Sequence, residues 1–310
     1  VFQLIKGYTR LEPGVYLGNY ILPNLVGMGI LLTLAFVIHV LVNNKYVGYA
    51  VFIVVVVGSS LLLNALDVRT NLADFNSAPR TMYSDMNAYG TAQVAWAWFK
   101  GYWAAFGAVL MAVALFFWIR GKESTWPWRM RLARQRFSHN KWIILPALVA
   151  WIGLGAWTYY NTKVLNNVVG SDEREEDAVY YEKTYKKYQG IVQPHYTDID
   201  FTIDLEPHER ILHSVARITV RNKSAVPIDS LHLNMSGEGI VQEAEIPGAT
   251  LVLNDERVDY RIYKIAKPLM PGEELHFTVR ADHVPKGFEN SVSVMELNDN
   301  GTFFNNMNLI

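Results

Sequence analysis

Four long apolar runs fill the first half of the chain, and beyond them the hydrophobic positions fall to every second residue. A hydrocarbon core of about 30 Å takes about 20 helical residues at 1.5 Å each. Residues 21–42, 47–66, 102–119 and 142–160 meet that length and predict a transmembrane region, 21–161, of four membrane-spanning helices in a lipid bilayer. The first run has Pro23 near one end, the second holds a β-branched stretch at 54–57, and the third has Lys100 just outside it and Arg120 closing it. None carries the polar stripe of a soluble surface helix. Aromatic residues gather at the run ends, as a membrane interface favours: Tyr16 and Tyr20, Tyr46, Trp96 with Trp98 and Trp103, and Trp126 with Trp128 and Trp142.

Residues 162–190 are polar and helix-prone. Ser171 opens the segment in the manner of an N-cap, acids follow, and Lys183, Lys186 and Lys187 load its end. Tyr180, Tyr181, Tyr185 and Tyr188 recur at helical spacing, and the segment reads as a solvated helical stalk. From residue 191 the period becomes two. Ile199, Phe201, Ile203 and Leu205 alternate with Asp198, Asp200, Thr202 and Asp204, the pattern of a half-buried strand. A turn at 207–210 follows, then Ala216, Ile218 and Val220, then Leu231, Leu233 and Met235, and finally Leu275, Phe277, Val279 and Ala281. Short strands between Pro, Gly and Asn turns predict an all-β antiparallel sandwich over 191–310.

Basic residues give the helices a direction. Residues 120–141 hold Arg120, Lys122, Arg129, Arg131, Arg134, Arg136 and Lys141 against Glu123 alone. Arg69 and Arg80 face Asp67, Asp74 and Asp85 in the loop before the third run. The excess of Lys and Arg predicts that 120–141 is cytoplasmic. It follows that the pre-membrane segment 1–20, residues 67–101 and everything after 161 are extracytoplasmic. A bilayer-directed role for these charges also removes the need for a nucleic-acid partner, as does the net charge of −1. With no cysteine, a disulfide framework, a thiolate metal site and a Cys nucleophile are excluded. Residues 1–20 lack the compact apolar core of a signal peptide, and the last residues end abruptly on an apolar pair, so an internal segment of a longer protein is expected.

Candidate chemistry is sparse. His39 is read as the one ionisable residue well inside a span, near its cytoplasmic end, where a proton-relay or substrate role competes with simple reach to the interface. His208, Glu209 and His213 imitate the zinc-protease motif His-Glu-x-x-His with one residue too many. Five positions separate two side chains by about 140° on a helix and put them on opposite faces of a strand. No Gly-rich phosphate loop and no Gly-x-Ser-x-Gly elbow occurs. The sequons at Asn222, Asn234 and Asn300 are short enough to arise by chance. No catalytic, cofactor-binding or metal-ligating residue is assigned to the chain.

Several strings, taken in order, resemble bacterial fusions of an ABC-2-type permease with an M1-family zinc aminopeptidase. They are Arg10-Leu-Glu-Pro-Gly14, His39-Val-Leu-Val-Asn-Asn-Lys-Tyr46, Tyr83-Ser-Asp-Met-Asn-Ala-Tyr-Gly90 and Phe99-Lys-Gly-Tyr-Trp103 in the membrane half. Tyr185-Lys-Lys-Tyr-Gln-Gly-Ile-Val-Gln-Pro194 with Thr197 and Asp198, and Gly301-Thr-Phe-Phe-Asn305, follow in the second half. The resemblance covers nearly the whole chain. It implies a multi-pass protein of the bacterial inner membrane and a peptidase N-terminal β-domain. A zinc-bound catalytic domain would lie in sequence not present here, where a peptide substrate would be cleaved; zinc is implied for that parent protein and not for these residues. An alternative is the permease half of an ABC transporter, with an ATPase subunit at 120–141 and a β-domain that docks or captures substrate without peptidase activity. The plainest reading is a membrane-tethered adhesion or assembly domain.

Overall fold

A computed structural model describes the chain apart from residues 1–4, 8, 10–12, 43, 82, 85–88, 91, 120–124, 167–169, 236–239, 292–295, 299–300, 306–308 and 310. Arg10 and Glu12, the middle of the string 83–90 with Asp85, the loop residues Arg120, Lys122 and Glu123, and Asn300 of the third sequon therefore lie outside the described residues. The chain folds as two compact units, Val1–Val168 with Gly287–Val292, and Val169–Lys286 with Ser293–Ile310.

The first unit is helical. It contains α1 (Val15–Val42), α2 (Lys45–Ala65), α3 (Ala92–Phe117) and α4 (Trp126–Tyr159, prolonged by a π-helical turn Tyr160–Leu165). Among the described residues four segments are long and apolar enough to cross a bilayer: Val15–Val42, Lys45–Ala65, Ala92–Phe117 and Lys141–Leu165. Helix α1 begins with wide π-type turns over Val15–Ile21 and becomes α-helical at Leu22. Pro23 lies just past that change, where a missing N–H is tolerated. The Asn44 side chain caps α2 by accepting from the amides of Tyr46 and Val47.

The first apolar helix begins at Val15 and not at 21, taking in the end of the segment expected to precede the membrane, and two other boundaries differ more. The third apolar helix begins at Ala92, ten residues before the expected 102, because Ala95, Phe99 and Trp103 recur every four residues and bury one continuous face. Lys100 is thus inside that helix and not outside it. Nor are residues 126–141 a loop: they form the N-terminal half of the 34-residue helix α4. Helix α3 is the hub of the unit, packing on both α1 and α4, while α2 packs on α1 and leaves most of its surface open.

Residues late in the sequence complete this unit. Phe288 packs with Ala95 and Phe99 and lies parallel to the ring of Trp98. Asn290 accepts from the Asn71 amide at 2.9 Å and donates to the Arg69 carbonyl at 3.0 Å. Gly287 has a φ of +61°, and a Cβ there would fall 2.1 Å from Asn161 Oδ1, so backbone geometry and space both demand glycine.

Among its described residues the second unit has a helix α5 (Ser171–Tyr185) and nine strands. Gly170 holds the N-cap position of α5, with Ser171 one residue inside. The strands are β1 (His195–Glu206), β2 (Ile211–Arg221), β3 (Ile228–Asn234), β4 (Val241–Glu245), β5 (Ala249–Asp255), β6 (Tyr260–Leu269), β7 (Glu274–His283), β8 (Glu296–Asn298) and β9 (Gly301–Phe303). They form antiparallel sheets in the orders β1-β2-β7-β4, β3-β6-β5 and β8-β9. The period-two residues enter one apolar cluster: Ala216, Ile218 and Val220 from β2, Leu231 from β3, Tyr263 and Ile265 from β6, and Phe277 and Val279 from β7. Ile199 and Phe201 pack against it from β1, but Leu205, at the end of the same alternation, is exposed. The stalk expected at 162–190 divides: its first residues continue α4, while α5 groups with the strands and lays its tyrosines on β6.

Candidate functional site

Lys100 is the only charged residue between Ala92 and Phe117. Its Nζ donates to the backbone oxygen of Asn76 at 2.6 Å and to that residue's Oδ1 at 2.9 Å. Asn76 sits at φ +63° and passes the contact on, its Nδ2 donating to the Gly27 carbonyl at 2.9 Å. The loop carrying Asn76 is held by α3 itself, since Tyr102 Oη and Trp103 Nε1 donate to the carbonyls of Leu72 and Asn71. No carboxylate reaches Lys100 among the described residues, so its charge is met by neutral oxygens alone. Beside it opens a cavity of about 500 Å³ whose wall includes Tyr20, Asn24, Gly27, Met28, Thr81, Tyr89 and Trp96. A cation whose partners are all neutral can hold an anion. The sequence reading missed Lys100 by starting the helix too late; the four-residue recurrence of Ala95, Phe99 and Trp103 was the signal that could have found it.

His39, the ionisable residue singled out from the sequence, lies in a second and smaller place. Its ring meets Tyr49 edge-on and lies so close to Gly48 that a Cβ there would come within 2.4 Å of Nδ1. It lines a cavity of about 240 Å³ with Phe36, Trp118 and Arg129. Arg129 is buried and donates to the Leu41 carbonyl at 2.7 Å and to that of Val40, closing the C-terminal end of α1. Arg136 does the same for α3, donating to the carbonyls of Leu115, Phe116 and Trp118. Two of the basic residues read as topology signals are therefore also helix caps, satisfying carbonyls that carry the negative end of each helix dipole.

In the strand unit, α5 brings Tyr180 and Tyr185 onto Asp255 at the end of β5. Both hydroxyls donate to Oδ2, that of Tyr180 at 2.9 Å. The Tyr185 bond leads in holding the Asp255 carboxyl below the usual carboxylate range. Burial, and then that same bond, push the Tyr185 phenol well above its ordinary value. Tyr185 lies 4.2 Å from Tyr260 between ring centres, and with Tyr181, Tyr188 and Gln189 these rings line an open cavity of about 340 Å³. The stacked rings already occupy one another's faces, and the cations nearby are spent within the chain, Arg257 over Tyr180 and Lys187 over Tyr188.

The two histidines of the imperfect zinc motif are separated by the fold. His208 stands in the turn 207–210, and His213 is in β2 with its Nδ1 2.6 Å from Asp282 on β7. Among the described residues no group of three His, Asp or Glu side chains could hold a metal ion, and these residues do not fit a zinc site. The first sequon also takes on a structural meaning: the Asn222 amide is fully buried, donates to the carbonyls of Val226 and Leu269, and accepts from Ser224. It organises a turn. Ser236 of the second sequon lies outside the described residues. Compared with known proteins, the chain matches no family model, no curated protein and no solved structure.

Proposed function

We propose that the chain is the membrane anchor and N-terminal β-domain of an extracytoplasmic M1-like zinc aminopeptidase fused to ABC-2-type permease helices. In this reading α1–α4 cross the bacterial inner membrane, the basic start of α4 is cytoplasmic, and the sheets form a sandwich outside. The observation that carries it is the order of elements: four apolar helices, then antiparallel sheets whose β2, β3, β6 and β7 side chains share one core. The resemblance implies that same order, with zinc and its ligands in sequence beyond these residues. The protein made from the whole reading frame, purified in detergent, is expected to release amino acids from aminoacyl anilides and to lose that activity to a chelator. Failure to cleave any such substrate with zinc supplied sinks the peptidase reading.

The exposed basic residues of α4 favour a second, compatible reading. Arg131 and Arg134 lie three positions apart, both exposed on the α4 helix, and a three-residue separation shares one helix face. That face suits an ATPase subunit, as the permease half of a transporter requires. Loss of a co-purifying ATPase on charge reversal at both positions supports it, and unchanged recovery counts against it. Reporter fusions after Asn161 and within 129–136 test the orientation: the first must be active outside the cytoplasm and the second inside.

A further inference from the structure

The cavity beside Lys100 has a chemistry that permease and peptidase readings leave unused. An ammonium has three N–H donors; Asn76 takes two, and no described residue takes the third. The same wall includes Tyr20, Thr81, Tyr89 and Trp96, whose side chains carry three hydroxyls and an indole N–H. None of these four donors meets an acceptor among the described residues. One cation with several neutral donors, and no acid among the described lining residues, matches a tetrahedral oxyanion, which offers more acceptor oxygens than a carboxylate. The cavity also changes character along one face of α1. Asn24 lies three and four positions before Gly27 and Met28, and Leu31 lies four and three positions after them, so they form a single stripe. The stripe is polar at Asn24, open at Gly27 where Lys100 Nζ would be 3.8 Å from a Cβ, and apolar at Met28 and Leu31. Exposed Leu25 and Leu32 continue the apolar surface beside it.

We propose that this cavity binds an amphiphile carrying a phosphate ester, its phosphate on Lys100 and its acyl chain along Met28 and Leu31. Lys100 supplies the charge, and the hydroxyl and indole donors close around the remaining oxygens. Gly27 keeps the entrance clear. The acyl-chain half of the proposal rests on the membrane-spanning reading, whereas the phosphate half rests on Lys100 alone.

The test uses the full chain in a neutral maltoside detergent, titrated by calorimetry with dihexanoyl phosphatidic acid, dihexanoyl phosphatidylcholine and inorganic phosphate. Phosphatidic acid is expected to bind best and inorganic phosphate at least about tenfold more weakly. Lys100→Gln should weaken phosphatidic acid by about tenfold or more, since a hydrogen bond from a charged donor is lost, and Lys100→Arg should restore most of it. Gly27→Leu leaves the charge in place and blocks the entrance, so it should abolish binding; it also reads out the site if Lys100→Gln fails to fold. Phosphatidic acid bound equally by wild type, Lys100→Gln and Gly27→Leu overturns the proposal. Inorganic phosphate bound as tightly as phosphatidic acid overturns the acyl-chain half. A protein that binds phosphatidic acid but cleaves no aminoacyl anilide loses the peptidase reading and keeps this one, while reporters that find the helices outside the membrane remove the acyl-chain half alone.

Discussion

Three cations of the helical unit and the ion pairs of the strand unit are met in opposite ways. In the helical unit Lys100, Arg129 and Arg136 spend their hydrogen bonds on uncharged oxygens, mostly the ends of helices and a loop carbonyl. In the strand unit charges pair across neighbouring strands, as in Arg217 with Asp200 and Arg280 with Glu245, or from a turn to α5, as in Arg257 with Asp177. The difference follows from surroundings. Exposed ion pairs cost little to form and return little, because water screens them. In apolar surroundings an ion pair must be desolvated twice, whereas a helix C-terminus offers ready-made acceptors with partial negative charge.

That contrast can be broken by substitution. The largest effect is expected at Arg129, which is 3% exposed. Arg129→Met strands the carbonyls of Val40 and Leu41 and should cost roughly 2–4 kcal/mol, read as a fall in thermal midpoint in detergent. Arg129→Lys should recover only part of it, since a point charge cannot fork between two carbonyls. A loss no greater than that of Arg217→Ala would mean the two units do not differ as described.

A smaller effect is expected at Tyr185 in the strand unit. Tyr185→Phe removes one of two hydroxyls from Asp255 and should cost about 1 kcal/mol at neutral pH. Because the folded Asp255 carboxyl is held low, chiefly by Tyr185, its contribution is present above the ordinary carboxylate value and lost as pH falls through the folded one. The gap between wild type and Tyr185→Phe in urea melts should therefore narrow below about pH 4. A gap that is constant with pH would assign the effect to packing.

The smallest effect belongs to His213, half exposed on β2. The hydrogen bond to Asp282 raises its titration point. Its stabilisation is complete below the ordinary histidine value of about 6.5 and disappears as pH rises through the folded value. His213→Gln should thus lower the thermal midpoint slightly in mild acid and not at all in alkali; the opposite trend would refute the pairing.

Much of this architecture is legible in the sequence. Ile199 and Phe201, or Phe277 and Val279, announce strands because one wet face and one dry face leave a two-residue period in the chain. The four apolar runs are equally plain. Less visible was where a helix continues through a charge: Lys100 stops an apolar run, but it does not stop a helix whose buried face passes through Phe99 and Trp103. The tyrosines of α5 show as a stripe in the sequence and look solvated there, because nothing local announces Tyr260, some 80 residues on, as their partner. Arg129 carries the same lesson. Its count as a positive charge is local information, and its use as a cap for α1 is not.

The return of residues 287–291 to the helical unit has a consequence for biosynthesis. These residues leave the ribosome some 120 positions after α4 is complete. At ordinary elongation rates the helices wait about 6–25 s before Phe288 reaches Trp98 and Asn290 reaches Asn71. All the strands from β1 to β7 emerge within that interval, so the helical unit, begun first, is completed only after most of the strand unit has been made.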